Sequence, residues 1–216
     1  MSMQDQIKPK FPLRRIAGWM LGALLIGYPA GKLAAYYVNN AGEAGPDWSF
    51  FAAMCVACIY GALALLTVLL GALPKFAAQM EEGAELQDVL DDRPKMLICA
   101  IACLGFCVSL AVAALGGSDG TIDHGLAIAL FAGSIVIGIW SWIWSTKHLD
   151  EMDWQLSNEA CVITFYMLFA IGGSWAALAQ FGLISAPDPL DWLTMLWGFS
   201  FPAAIIAYWR RGLLQD

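Results

Sequence analysis

The chain has 216 residues, of which 60% are hydrophobic and only 13% are charged, whereas a soluble domain is about 25% charged. The apolar residues fall into long blocks separated by short polar clusters, which excludes a water-soluble fold around one core and points to membrane spans. A net charge of −7 removes the basic footprint that phosphate neutralisation requires, so nucleic acid is not expected as a partner.

Roughly 20 apolar residues cross the ~30 Å hydrocarbon layer as a helix. Six stretches qualify, at about 16–38, 48–73, 96–115, 125–145, 160–184 and 190–209. The fold expected is therefore all-α: a polytopic integral membrane protein with one six-helix domain over 16–209. It follows a cytoplasmic segment, 1–15, and precedes a cytoplasmic tail, 210–216.

The basic start Lys8, Lys10, Arg14 and Arg15 has the look of a secretory signal. The apolar stretch behind it exceeds a signal core of about 7 to 15 residues and carries Pro29 and Lys32, so it is expected to be a retained first helix. Its two small-residue pairs, Gly18 with Gly22 and Gly27 with Gly31, are candidate helix-packing positions. Pro29 removes a backbone donor and should bend the helix, which makes Tyr28, Pro29 and Lys32 a candidate kink or site. Lys32 is close enough to the end of the span for its head to reach the far headgroups.

With the N-terminus in the cytoplasm, all of the eleven Lys and Arg residues except Lys32 fall in cytoplasmic segments. The opposite connections, 39–47, 116–124 and 185–189, hold none. The positive-inside rule thus places both termini in the cytoplasm. Tyr36, Tyr37, Trp48 and Trp192 gather at the outer interface, with Trp19, Trp142, Trp144, Tyr208 and Trp209 at the inner one.

The second span carries Cys55 and Cys58, and the third carries Cys99, Cys103 and Cys107 at four-residue spacing. Counted inward, Cys58 and Cys107 reach similar depth. The cluster Cys55, Cys58, Cys103 and Cys107 suits a soft metal or a membrane thiol oxidoreductase resembling the quinone-linked vitamin K epoxide reductase family. That family also uses outer-loop cysteines, which this chain lacks, and buried thiols equally serve as small hydrophobes between helices.

The connection after span two is acidic, with Glu81, Glu82, Glu85 and Asp88, and its apolar Phe76, Met80, Leu86, Val89 and Leu90 are spaced for a short amphipathic helix. Asp150, Glu151 and Asp153 form a second acidic group before span five, with Ser157 or Asn158 as its candidate cap. Both groups are candidate surfaces for a basic cytoplasmic partner, and no metal is assigned to either.

His124 and His148 flank span four about 36 Å apart along a helix. No span holds a histidine at depth, so no histidine-ligated haem or chlorophyll is expected. Glu159 lies at the inner mouth of span five without an evident partner in sequence. Spans two and three and spans four and five each flank an acidic connection, in the arrangement of a weak parallel duplication.

Over about the last third of the chain, Leu149, Asp150, Glu151, Glu159, Ala160, Gly182, Pro189, Asp191, Trp192, Arg210 and Arg211 follow a pattern that resembles a broad group of uncharacterised small bacterial inner-membrane proteins. Members usually carry basic residues after the Asp-Glu pair, where this chain has Trp154 and Gln155. The resemblance implies a bacterial inner-membrane setting and no particular activity.

The function expected is that of a non-catalytic inner-membrane protein, an accessory or assembly subunit whose partners are the bilayer and other membrane proteins or itself. One alternative is a small transporter or channel for a neutral or apolar solute, with the kink around Pro29 and the polar Ser134, Thr164 and Ser174 as its lining. The other is a membrane enzyme, the thiol oxidoreductase foremost.

Overall fold

A computed structural model of the chain describes residues 32, 47–74, 77, 86–116, 122–145, 147 and 149–212. Among these every regular element is helical: α1 (Trp48–Ala72), α2 (Leu86–Asp91), α3 (Arg93–Leu115), α4 (His124–Ser145), α5 (Glu151–Met167), a π-helical turn (Leu168–Gly172), α6 (Gly173–Gln180) and α7 (Pro189–Arg210). Five segments are long and apolar enough to cross a membrane: α1, α3, α4, the continuous α5–π–α6 rod, and α7. This is the architecture of a helical membrane protein. The first span expected from sequence lies outside the described residues, apart from a helical, exposed Lys32.

Aspartates set the helix starts. Asp47 accepts from the backbone amides of Ser49 and Phe50, Asp123 from Gly125 and Leu126, and Asp150 from Asp153. Asp188 and Asp191 close a reciprocal capping box at α7, where Pro189 takes the first helical position. Each carboxylate satisfies amides that have no partner inside the helix and sits at the positive end of the dipole. Asp150 corrects the expected cap of span five: Ser157 and Asn158 lie inside α5, which starts at Glu151. Hydropathy marks where a helix enters lipid, and this helix begins in water.

The described helices form an open row. α3 packs between α1 and α4, α7 joins α1 to α5 with a smaller contact to α3, and α6 continues α5 beyond the π turn. The contact surfaces are built from small residues. On α4 these are Ala127, Ser134 and Ser141, spaced seven apart and all buried, a period that suits left-handed crossing. They face a groove on α3, where the Cβ of a side chain at Gly105 would lie 3.5 Å from the Ser134 carbonyl oxygen. On α1 the buried stripe is Ala53, Ala57, Tyr60 and Ala64, and on α7 it includes Thr194, Ala203 and Ala207. Lipid tails are as apolar as these helices, so association depends on close van der Waals approach, which small side chains permit.

Gly172 is the tightest such point between α5 and α7. A Cβ there would sit 2.7 Å from Cζ3 of Trp192. Gly172→Ala should therefore destabilise the fold by about 1–3 kcal/mol through overpacking. Gly133→Ala, where a Cβ meets nothing within 4 Å, should leave stability unchanged or slightly raised. Thermal unfolding of the two variants in the same detergent checks the contrast.

Candidate functional site

One hydrogen-bonded node of hydroxyls joins the described helices across their seams. Halfway along α1, the Tyr60 hydroxyl lies 2.6 Å from Ser200 Oγ and donates to the Trp197 carbonyl at 3.0 Å, while Ser200 Oγ donates to the same carbonyl at 2.6 Å. The carbonyl takes both hydroxyls, or takes one while the other relays through Ser200. Pro202, one turn on, has no amide to close onto the Gly198 carbonyl, which loosens the helix ladder beside this point. Around the hydroxyls stand Phe106, 5.2 Å from the Tyr60 ring and edge-on, Phe201 at 4.6 Å, and Trp197, whose ring lies 4.3 Å from that of Phe106. The node ties α1, α3 and α7 together at mid-depth. Tyr60 is nearly fully buried. Removing its hydroxyl from water costs free energy that only such partners offset.

Sequence reasoning passed over Tyr60, Ser200 and Pro202. The available signal was a tyrosine and a proline at the centres of spans, away from the interfaces where tyrosine normally collects.

Five other intramembrane hydroxyls are engaged with carbonyls of their own helices: Thr67 with Leu63 and Ala64, Ser109 with Phe106, Ser134 with Phe131, Thr164 with Ala160 and Thr194 with Leu190. Ser134 lies in the α3–α4 contact, Thr164 is buried on α5 at the other side of the row, and Ser174 is exposed on α6. These three do not line a common path. Ser141 Oγ and Trp197 Nε1 are the buried side-chain polar atoms with no partner among the described residues.

The thiols follow the α1–α3 seam. Cys107 Sγ lies 3.2 Å from where a Cβ on Gly61 would be, so this glycine makes the room for it. Gly61 follows Cys58 by about one turn on α1, so Cys107 stands beside that turn, and Cys99 and Cys103 are one turn apart on α3. All six cysteines are free, and Cys161 lies apart on α5. Among the described residues no three His, Cys, Asp or Glu side chains are placed to hold a metal ion.

At one end of the row the charged side chains are paired. Arg210 and Arg211 both contact the Glu159 carboxylate, at 3.0 and 3.2 Å, and Arg211 also donates to Gln155. Lys95 contacts Asp92 and Asp153 at 3.1 and 3.5 Å, and Arg93 donates to the Gly71 carbonyl. Glu159 thus has the partners that its sequence neighbours did not reveal, and they come from the far end of α7. Of the acidic positions singled out as partner surfaces, Asp150 caps a helix, Asp153 is turned to Lys95, and Glu151 lies near Gln155. Asp88 falls in α2, where Val89 is buried; Glu81, Glu82 and Glu85 lie outside the described residues, as do Gly18, Gly22, Gly27, Tyr28, Pro29 and Gly31.

No family model, curated protein or solved structure matches this chain.

Two substitutions separate the central node from the terminal ion pairs. Tyr60→Phe keeps the aromatic packing and loses one hydroxyl, and should cost about 0.6–2 kcal/mol in unfolding titrations in detergent. Glu159→Gln, at the exposed end, should cost less than about 1 kcal/mol, with the difference shrinking as salt is added.

Proposed function

We propose that this chain is a six-span, non-catalytic protein of the bacterial inner membrane, with both termini in the cytoplasm, that serves as an accessory or assembly subunit by packing against other membrane proteins. The observation that carries the reading is the open row of helices. α4 rests on α3 and the α5–α6 rod on α7, so both margins present large exposed side chains, Ile128 and Val136 on one and Phe169 and Phe181 on the other. Two further features support it. The polar side chains within the helices are mostly spent on internal hydrogen bonds, which serves packing more than chemistry. The described basic side chains other than Lys32 collect near one end, on residues 93, 95, 147, 210 and 211, the distribution that the positive-inside rule associates with the cytoplasm.

Purification from native membranes in mild detergent tests the reading, with a stoichiometric membrane subunit expected to accompany the chain. Recovery of the chain alone, together with solute flux through vesicles reconstituted with it, would replace the proposal with a transporter.

The proximity of Cys58 to Cys107 favours a second reading, a membrane thiol oxidoreductase. It requires maleimide labelling of these two thiols to change on addition of reductant, and thiols that label identically in both conditions would dismiss it.

A further inference from the structure

Among the described residues two phenols, Tyr60 and Tyr166, lie at the middle depth of the row, and one of the two is satisfied. Tyr60 is bonded within the central node. Tyr166, on α5, is 64% exposed, and the described structure gives its hydroxyl no hydrogen-bond partner. Its depth follows from the α5–α7 pairing. Glu159 contacts Arg211 at one end, Gly172 packs on Trp192 toward the other, and Tyr166 lies midway between them on α5, as Ser200 does between Trp192 and Arg211 on α7. It is therefore about 10 Å along the helix from the charged end at Glu159, in hydrocarbon, where neither water nor lipid tails accept a hydrogen bond and an unmet polar group is costly.

The surroundings of Tyr166 form a continuous stripe. Val162, Phe165 and Phe169, at helical spacing from it, are 54%, 62% and 71% exposed, while α7 covers the opposite side of α5. Tyr166 is the one hydroxyl or charged group in this stripe, and it stands near its centre. A phenol hydroxyl is donor and acceptor at once. A twofold axis passing beside Tyr166 would bring it against its own copy, and a self-complementary contact then needs no other polar group on the face.

We propose that Val162, Phe165, Tyr166 and Phe169 form a homodimer interface in the membrane, with α5 of two copies crossing at Tyr166 and the two hydroxyls sharing a hydrogen bond. The large aromatic rings supply the contact area, and the hydroxyl supplies the register. The face shares Phe169 with a margin that the accessory-subunit reading also uses, and the two are told apart by the partner: a stoichiometric partner without self-association would sink the dimer and leave that reading standing.

The test uses the full chain in lipid nanodiscs or mild detergent, with a photoreactive phenylalanine analogue at position 169, which leaves the Tyr166 hydroxyl in place, or, as a control, at the exposed Leu65 of α1, and with mass measured for the unmodified chain. A dimeric mass and chain-to-chain cross-links from position 169, not from 65, are expected. Tyr166→Phe, which keeps the ring and the fold, should weaken the dimer about threefold to tenfold. Three results overturn the proposal: a monomer at every concentration, cross-links from 169 only to lipid or to a different polypeptide, or a dimer of unaltered affinity in Tyr166→Phe. Matching thermal unfolding of Tyr166→Phe and the parent chain would show that the change lies in association.

Discussion

Helices that leave water for lipid satisfy their own backbones and lose the hydrophobic effect as a reason to touch one another. What remains is the fit of one surface against another at van der Waals distance. The row α4–α3–α1–α7–α5 follows from that constraint, because its contacts lie where alanine, serine and glycine strip the helix surface down to the backbone. Many of the larger side chains point away from these seams, with Tyr60, Phe106, Leu110 and Trp197 as buried or interhelical exceptions. In a soluble protein the same distribution would be inside out.

Within this apolar frame, polar groups act as fixed points. Tyr60, Ser200 and the Trp197 carbonyl join two helices that are far apart in sequence, and the aromatic rings around them bring in α3. Once the hydroxyls are paired, sliding of α1 along α7 by a single turn would strand them without partners. The ionic contacts at the charged end are softer, being accessible to water and salt. Small residues thus permit the approach, the central hydroxyls set the register, and the terminal ion pairs tether the ends.

The same logic gives meaning to side chains on the margins. An isoleucine facing lipid at mid-depth is at rest, since it exchanges one hydrocarbon neighbour for another. A phenol there is not, because its hydroxyl has lost water and gained nothing. The contrast between Tyr60 and Tyr166, one satisfied inside the row and one outside it, marks the α5 face as different from the aliphatic margin of α4, which is equally exposed.

Much of the architecture was legible in the residues. Five of the expected spans appear as helices close to their hydropathic limits, and the aspartates before Trp48, His124, Glu151 and Pro189 mark the starts, although the span-five limit had to be moved outward to Asp150. That Cys58 and Cys107 lie at similar depth can be counted from the residues, because a helix has a fixed rise, but not that their helices are neighbours. The π turn at Leu168–Gly172 was not readable, since nothing in an apolar run distinguishes it before Trp192 is placed against Gly172. Nor was the partnership of Glu159 with Arg210 and Arg211, which depends on α7 returning beside α5. By itself the sequence determined which segments prefer lipid and where charge gathers along the chain, for those are properties of composition and helical rise. Which helices became neighbours was decided only in three dimensions: every span is apolar, so hydropathy cannot tell one partner from another, and the choice falls to the relief of small residues and to a few hydroxyls that must meet.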